Sequence, residues 1–253
     1  MVRGIDIFKE FFKYFTDNYI IIGGTACDIL IKEAGFSPRV TKDIDIILIV
    51  EALSKEFVVQ FWEFIKKGNY EQREKGEGDH NYYRFIKPEN KEFPYQIELF
   101  AKNPDLLDLD EESHLTPIPT DAELSSLSAI LMDEKYYKFT LDNSEVKDEV
   151  NIANTIALIC LKAQALLDYT QRSLEGEIDC SKQIKKHKAD MLRLTLLLVP
   201  GEKIEIPDVI NENLKSCLEI MAKEPPGKEM FKSMGITISP DKVIGQFKEF
   251  FEL

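Results

Sequence analysis

The chain has 253 residues, of which 44% are hydrophobic and 30% are charged, and this balance is typical of a globular protein with a sizeable core. A net charge of −13 excludes a general nucleic-acid binder, whose surface is usually basic, although a local basic patch is still compatible with it. No apolar run is long enough to cross a bilayer, so no membrane partner is expected. The four widely spaced cysteines match neither a metal-ligand pattern nor a disulfide framework, and we therefore expect reduced thiols in a cytoplasmic protein.

The first predicted elements lead to a glycine pair. Apolar residues recur at helical spacing over 5–15, which predicts an amphipathic helix. The apolar run Tyr19–Ile22 predicts a short strand that ends at Gly23 and Gly24, and a helix is predicted to follow this turn. Glycines in such a place let the backbone approach a ligand closely, and the start of the next helix favours an anion.

Two aspartates open the next predicted strand, whose β-branched run covers 46–50. Asp43 and Asp45 are two residues apart, so in a strand they point to the same face. Side-by-side carboxylates repel each other and persist when a divalent cation or a proton lies between them. Taken alone, such a pair is more often solvated or capping than a metal site, and both readings stay open at this point.

The order of these pieces resembles the motif of the nucleotidyltransferase superfamily of DNA polymerase beta, which is a glycine pair, a helix and Asp-x-Asp in an apolar strand. More narrowly, the chain resembles the AbiEii/MenT-like toxin nucleotidyltransferases in the segments Gly23-Gly24-Thr25-Ala26 and Arg39-x-Thr41-x-Asp43-Ile44-Asp45. The resemblance implies an α/β (α+β) fold, with a nucleotidyltransferase-fold mixed sheet, flanking helices and a C-terminal helical domain. It also implies that Gly23, Gly24 and Thr25 bind nucleotide phosphates.

A third acidic residue follows further along the chain. A helix is predicted over 52–67, a polar loop over 69–81, and two strands over 82–86 and 93–100. Glu98 is a lone carboxylate inside the second of these strands, and a charged group there needs a partner. The resemblance implies that Glu98 completes the acidic site as a metal ligand and as the group that orients or deprotonates the acceptor, where the family more often has aspartate. The alternative is a surface-facing glutamate on an edge strand.

The middle of the chain changes in composition. Acidic residues and prolines over 103–120 predict a linker or peripheral loop. A short helix is predicted over 122–132, and a hairpin is predicted from strands over 136–141 and 145–152, joined at 142–144.

The second half is predicted to be helical, with helices over 153–173, 181–199, 211–222 and 241–251. The first of them is apolar almost all round, with Lys162 in its middle, so this lysine either meets an anion or extends to solvent. The resemblance implies the first reading, because Leu161-Lys162-Ala163-Gln164-Ala165-Leu166 is similar to a family helix whose lysine faces the nucleotide phosphates. It also implies that Asp190 turns towards the site. His187 is predicted to be an exposed helix residue.

The next helix begins with a basic group, consisting of Lys182, Lys185, Lys186 and Lys188. This charge is unfavourable at a helix start, which hints that the lysines have a partner. If the substrate that accepts the nucleotide is RNA, these lysines are predicted to contact its backbone. The alternative is a solvated helix end that pairs with the acidic linker.

Together these features predict a catalytic domain over 1–120 and a helical domain over 121–253 that closes the nucleotide cleft. The predicted activity is Mg²⁺-dependent transfer of a nucleoside monophosphate from a nucleoside triphosphate to an acceptor hydroxyl, with one or two ions bound. The acceptor implied by the resemblance is tRNA in a toxin–antitoxin setting, with an antitoxin as partner, whereas the acidic composition leans towards a protein or a small molecule. The alternative is a non-catalytic module that keeps the fold and binds a nucleotide or a partner as a regulator.

Overall fold

The computed structural model describes residues 2–38, 41–73, 82–100, 130, 133–176, 180–225, 227–232 and 234–253. Its described strands form one mixed sheet of seven, in the order β3-β4-β5-β2-β1-β7-β6. They are β1 Tyr19–Ile22, β2 Asp43–Leu48, β3 Glu71–Arg73, β4 Tyr82–Ile86, β5 Gln96–Phe100, β6 Ser144–Lys147 and β7 Val150–Ala153. The pairs β2–β5 and β1–β7 are parallel, and the other neighbours are antiparallel.

Helices cover the sheet, and the predicted mixed α/β class with flanking helices is confirmed. The described helices are α1 Ile5–Phe12, α2 Gly23–Glu33, α3 Lys55–Gly68, α4 Glu134–Asp142, α5 Thr155–Glu175, α6 Ser181–Thr195, α7 Asp208–Lys223, α8 Glu229–Lys232 and α9 Pro240–Phe251. None of those in the described part of the chain is both long enough and apolar enough to cross a membrane.

The two faces of the sheet differ in character. Tyr19 and Ile22 are three residues apart in β1 and therefore point to opposite faces. Tyr19 packs in an aromatic layer with Phe8 and Phe12 of α1 and Phe57 of α3. Ile22 instead lines a cleft whose opposite wall is formed by α5 and α6. This cleft therefore opens on the face of the sheet away from the aromatic layer.

The predicted hairpin over 136–152 is wrong in its first strand, because residues 136–141 belong to helix α4. Asp133 caps this helix by accepting from the backbone N–H groups of Lys135 at 2.8 Å and Tyr136 at 3.4 Å. The hairpin lies later, between β6 and β7. Its turn residues Asp148 and Glu149 both have positive φ values, 50° and 66°, which suits a two-residue turn between twisted strands.

Several other boundaries differ from the prediction. Helix α2 begins at Gly23 itself, so the glycine pair forms its first turn. Strand β2 ends at Leu48, and β3 lies within the predicted loop over 69–81. The linker over 103–120 lies outside the described residues, as does the helix over 122–132 apart from residue 130. The domain division at residue 120 also lies there and stays a prediction, although β6 and β7 from beyond it join the same sheet as β1.

Candidate active site

The register of the sheet brings the three predicted acidic residues together. Asp45 of β2 lies beside Glu98 of β5, and Asp43 lies beside Gln96. Strand β5, which carries Glu98, lies between β4 and β2, and Glu98 is 8% exposed. The alternative of a surface glutamate on an edge strand is therefore wrong. Across the next pair of strands, Glu98 lies beside Arg84. A polar row therefore crosses the central strands where β2 and β5 begin.

A cleft opens over this row, and helices α5 and α6 form its opposite wall. Asp43, Asp45 and Glu98 line the strand side, and Lys162 and Lys186 line the helical side. Gly23 and Gly24 also line it in the first turn of α2, whose N-cap residue Ile22 makes no side-chain cap hydrogen bond. Backbone N–H groups in the first turn of a helix have no partner within the helix and carry partial positive charge. The cleft thus places carboxylates opposite cationic groups, with room for a ligand between them.

Gly23 is required by the position of Asp45. Its φ is +67°, and a Cβ added there would lie 1.8 Å from Asp45 Oδ2. Gly35 also has a positive φ, +81°, but a Cβ there would have nothing within 4 Å. The first glycine of the pair therefore makes space for a carboxylate of the site, in addition to adopting a left-handed conformation.

These two glycines allow a matched test. We expect Gly35→Ala to lower the free energy of unfolding by about 1–2 kcal/mol, the cost of a left-handed alanine. Gly23→Ala should cost about 1–3 kcal/mol more, because the new methyl group overpacks against Asp45. Urea unfolding of both variants measures the difference. Equal costs would show that the Asp45 carboxylate does not lie over Gly23.

Thr25 has a different role from the predicted phosphate contact. Its side chain is fully buried, and its hydroxyl donates to the backbone carbonyl of Asp43 at 2.6 Å. It therefore fastens the start of β2 to α2 and fixes where Asp43 emerges. Its buried hydroxyl cannot touch a nucleotide in this arrangement, so the prediction for Thr25 is corrected from ligand contact to positioning.

The carboxyl groups of Asp45 and Glu98 interact with each other in the cleft. Burial raises the pKa of Glu98 to about 8, and the Asp45 carboxylate adds to this, while Arg84 opposes it. Burial also raises the pKa of Asp45, although Lys162 lowers it. A side-chain hydrogen bond with Glu98 also lowers the pKa of Asp45.

The raised pKa of Glu98 predicts two pH effects. Without divalent cations, the free energy of unfolding should fall as the pH rises from about 4.5 to about 8, the ordinary and folded pKa of Glu98, because the folded chain binds the proton more tightly. Glu98→Gln should flatten this slope. Binding of Mg²⁺ near neutral pH should release protons, which calorimetry in two buffers of different ionisation enthalpy would detect. Cation binding without proton release would contradict a raised pKa of Glu98.

Lys162 is buried and does not extend to bulk solvent. It is 7% exposed and its Nζ lies 3.8 Å from Asp190 Oδ2. Asp190 Oδ1 lies 3.4 Å from Arg193 Nη1, and Arg193 also donates to the carbonyl of Met230. Asp190 does not belong to the described lining of the cleft. It contacts Lys162, which does line the cleft, and so it positions that lysine.

The sequence did not identify some residues of the helical wall. His187 is 8% exposed and stacks on Tyr169 with ring centroids 5.4 Å apart, so the prediction of an exposed histidine is wrong. Both residues line the cleft. Lys188, one of the four lysines at the start of this helix, is buried and pairs with Glu224 at 3.0 Å. The packing of α6 against α5 and against the end of α7 produces these contacts, and the periodicity of one helix carries no signal of its neighbours.

The sequence predicts that Asp43, Asp45 and Glu98 bind a metal ion, and their arrangement in the structure can be compared with this prediction. Among the described residues, no group of three or more histidine, cysteine, aspartate or glutamate side chains is arranged to hold a metal ion. Asp43 and Asp45 both line the cleft, and their charges interact. Mg²⁺ is commonly held by one or two carboxylates together with water and the phosphates of a substrate. The aspartate pair fits a cation held in that way.

Comparisons with known proteins add little to this geometry. No protein-family model matches the chain, and no curated protein matches it. Among solved structures, it is similar to an antigenic nucleotidyltransferase-like protein from Paracoccidioides brasiliensis, with a TM-score of 0.45 and 15% identity over 96% of this chain and 99% of that chain. At this similarity we draw neither fold nor activity from the likeness, and both rest on the residues of this chain.

Proposed function

We propose that the chain has a nucleotidyltransferase fold and transfers a nucleoside monophosphate from a nucleoside triphosphate to an acceptor hydroxyl in a metal-dependent reaction. One observation carries the proposal. Asp43 and Asp45 line a cleft opposite Lys162 and Lys186, at the point where helix α2 begins. A triphosphate needs both kinds of group, because a cation on the carboxylates and the fixed positive charges both stabilise its negative charge.

The roles of the residues follow from their places in the cleft. Asp43 and Asp45 would hold Mg²⁺, which neutralises phosphate charge and polarises the phosphoryl oxygens when bound. Gly23 and Gly24 would offer backbone N–H groups of the first helical turn to the phosphates. Lys162, which Asp190 positions, would neutralise further phosphate charge. Glu98 would orient or deprotonate the acceptor hydroxyl.

The acceptor is proposed from charge and resemblance together. Lys182 and Lys185 are exposed at the start of α6, next to the cleft residue Lys186. This exposed pair offers phosphate contacts to an RNA acceptor, and tRNA in a toxin–antitoxin setting follows from the sequence resemblance. The net charge of −13 favours a protein or small-molecule acceptor instead.

A second candidate function is nucleotide binding without transfer. It is favoured by the contacts of Glu98, whose Oε1 accepts from Arg84 at 2.8 Å and from Gln96 at 2.7 Å. A glutamate engaged in this way is less available to take a proton from an acceptor. A regulatory module of this kind would bind a nucleotide at the same cleft and leave it intact.

One incubation separates these functions. The chain is mixed with each nucleoside triphosphate, labelled at the α-phosphate, with Mg²⁺ and total cell RNA, protein or small-molecule extract. Transfer predicts pyrophosphate release and label in one acceptor fraction, and removal of Mg²⁺ by a chelator should stop both. Tight nucleotide binding without pyrophosphate release in any fraction would favour the regulatory module.

A further inference from the structure

Arg193 of α6 contacts two groups at once. Its Nε and Nη2 donate to the backbone carbonyl of Met230 at 3.0 Å and 2.9 Å, and its Nη1 donates to Asp190 Oδ1 at 3.4 Å. Met230 belongs to α8, so the guanidinium group is anchored on a backbone atom outside its own helix. Because the group is planar and rigid, the two bonds to one carbonyl also set the direction in which Nη1 meets Asp190.

Asp190 holds Lys162 by charge and not by a hydrogen bond. The distance from Lys162 Nζ to Asp190 Oδ2 is 3.8 Å, which is longer than the usual hydrogen-bond range of about 2.7–3.2 Å. The carboxylate therefore attracts the ammonium group without accepting one of its three N–H donors. Since Lys162 lines the cleft, a lysine held in this way can present its donors to a ligand there.

We propose that Arg193 is a positioning residue for Lys162, because it shares the charge of Asp190 and keeps this carboxylate from drawing the lysine out of the cleft. The side chains of Asp190 and Arg193 are only 4% and 15% exposed, so water screens their charges weakly. Without the guanidinium group, the full charge of Asp190 would act on Lys162 and would favour a closer ion pair. This inference rests on the proposed function, in which Lys162 binds phosphates.

A second buried cation of α6, Lys188, provides a matched control. It is 5% exposed, and its Nζ lies 3.0 Å from Glu224 Oε2 at the end of α7. Lys188 and Asp190 are two residues apart, and helix residues at this spacing do not face each other. Lys188 therefore fastens α6 to a neighbouring helix, as Arg193 does, but from another face of α6.

The test is calorimetric titration of the full chain with a non-hydrolysable nucleoside triphosphate. Arg193→Met keeps the aliphatic stem and removes the guanidinium group, and we expect it to weaken binding by about 10-fold, because the phosphate contact of Lys162 is lost or weakened. Lys188→Met should leave the affinity unchanged. The double variant K162M/R193M should bind as K162M does, because Arg193 acts on the ligand through Lys162.

The affinities of these variants decide between positioning and a general loosening of α6. A loss in R193M that is absent from the K162M background supports the proposal. Unchanged affinity in R193M, equal losses in R193M and K188M, or a further loss in K162M/R193M would each overturn it and leave the proposed function intact. A wild-type chain that binds no triphosphate would overturn the proposed function and this proposal together.

A second pair of variants applies if R193M fails to fold because a buried carboxylate has lost its partner. Asp190→Asn removes that charge, so the double variant D190N/R193M can be compared with D190N alone. Equal triphosphate affinities would support the proposal, because Arg193 is expected to act through the carboxylate of Asp190. Weaker binding by the double variant would overturn it.

Discussion

Changing both cleft aspartates to asparagine, D43N/D45N, is expected to abolish Mg²⁺-dependent nucleotide transfer while leaving the chain folded. The two side chains would hold the cation that stabilises the transferred phosphoryl group, a contribution of several kcal/mol, so the rate should fall by at least about 1000-fold. Pyrophosphate release and transfer of α-phosphate label measure this loss.

The free energy of unfolding of D43N/D45N, unlike its activity, should not fall. Burial and the neighbouring Asp43 carboxylate both raise the pKa of Asp45, so the ionised form is disfavoured in the folded chain. Neutral amides of the same shape remove that repulsion, and the free energy of unfolding should be unchanged or higher at pH 8. Asp142→Asn, at an exposed position at the end of α4, is the control that should alter neither property. A double variant that unfolds would show that the aspartates are structural.

The sequence predicted two strands and the shared face of the aspartates, because residues close together along the chain determine both features. Tyr19–Ile22 and Tyr82–Ile86 are strands with the predicted bounds, since each is a short apolar or aromatic run between turn residues. The side chains of Asp43 and Asp45 share a face because the period of a strand is two residues.

Spacing alone could not predict the partners of these residues, because they depend on long-range strand order, and only the family resemblance implied that Glu98 joins the aspartates. Strand β5 follows β4 in the chain but lies between β4 and β2 in the sheet, which gives Glu98 an arginine on one side and an aspartate on the other. No spacing within one strand carries that register. The same reasoning applies to Lys162, because the pattern of its own helix does not predict that Asp190 of another helix lies beside it.

The incorrect prediction of a strand over 136–141 has a different origin. Tyr, Phe and Thr in this segment favour strands intrinsically, and the sequence prediction followed that preference. The segment is helical because Asp133 caps it and because Tyr136, Tyr137 and Phe139 are buried along it. Tertiary packing and a single cap outweigh an intrinsic preference of this size.

Lys162→Met is expected to weaken binding of nucleoside triphosphates by about 10- to 100-fold, because a charge-assisted contact with phosphate is worth about 1.5–3 kcal/mol. The variant keeps the aliphatic stem that packs in α5 and loses only the ammonium group. Calorimetric titration with a non-hydrolysable triphosphate measures the affinity.

The buried pair with Asp190 makes this variant a test of stability as well. Loss of the ammonium group leaves Asp190 with Arg193, 3.4 Å away, so the cost should be about 1–3 kcal/mol and not the larger cost of an isolated buried charge. The double variant K162M/D190N removes that leftover charge, and it should recover stability without recovering nucleotide affinity. Recovery of both would mean that Lys162 serves only to neutralise Asp190. Unchanged affinity in K162M alone would remove Lys162 from the phosphate site.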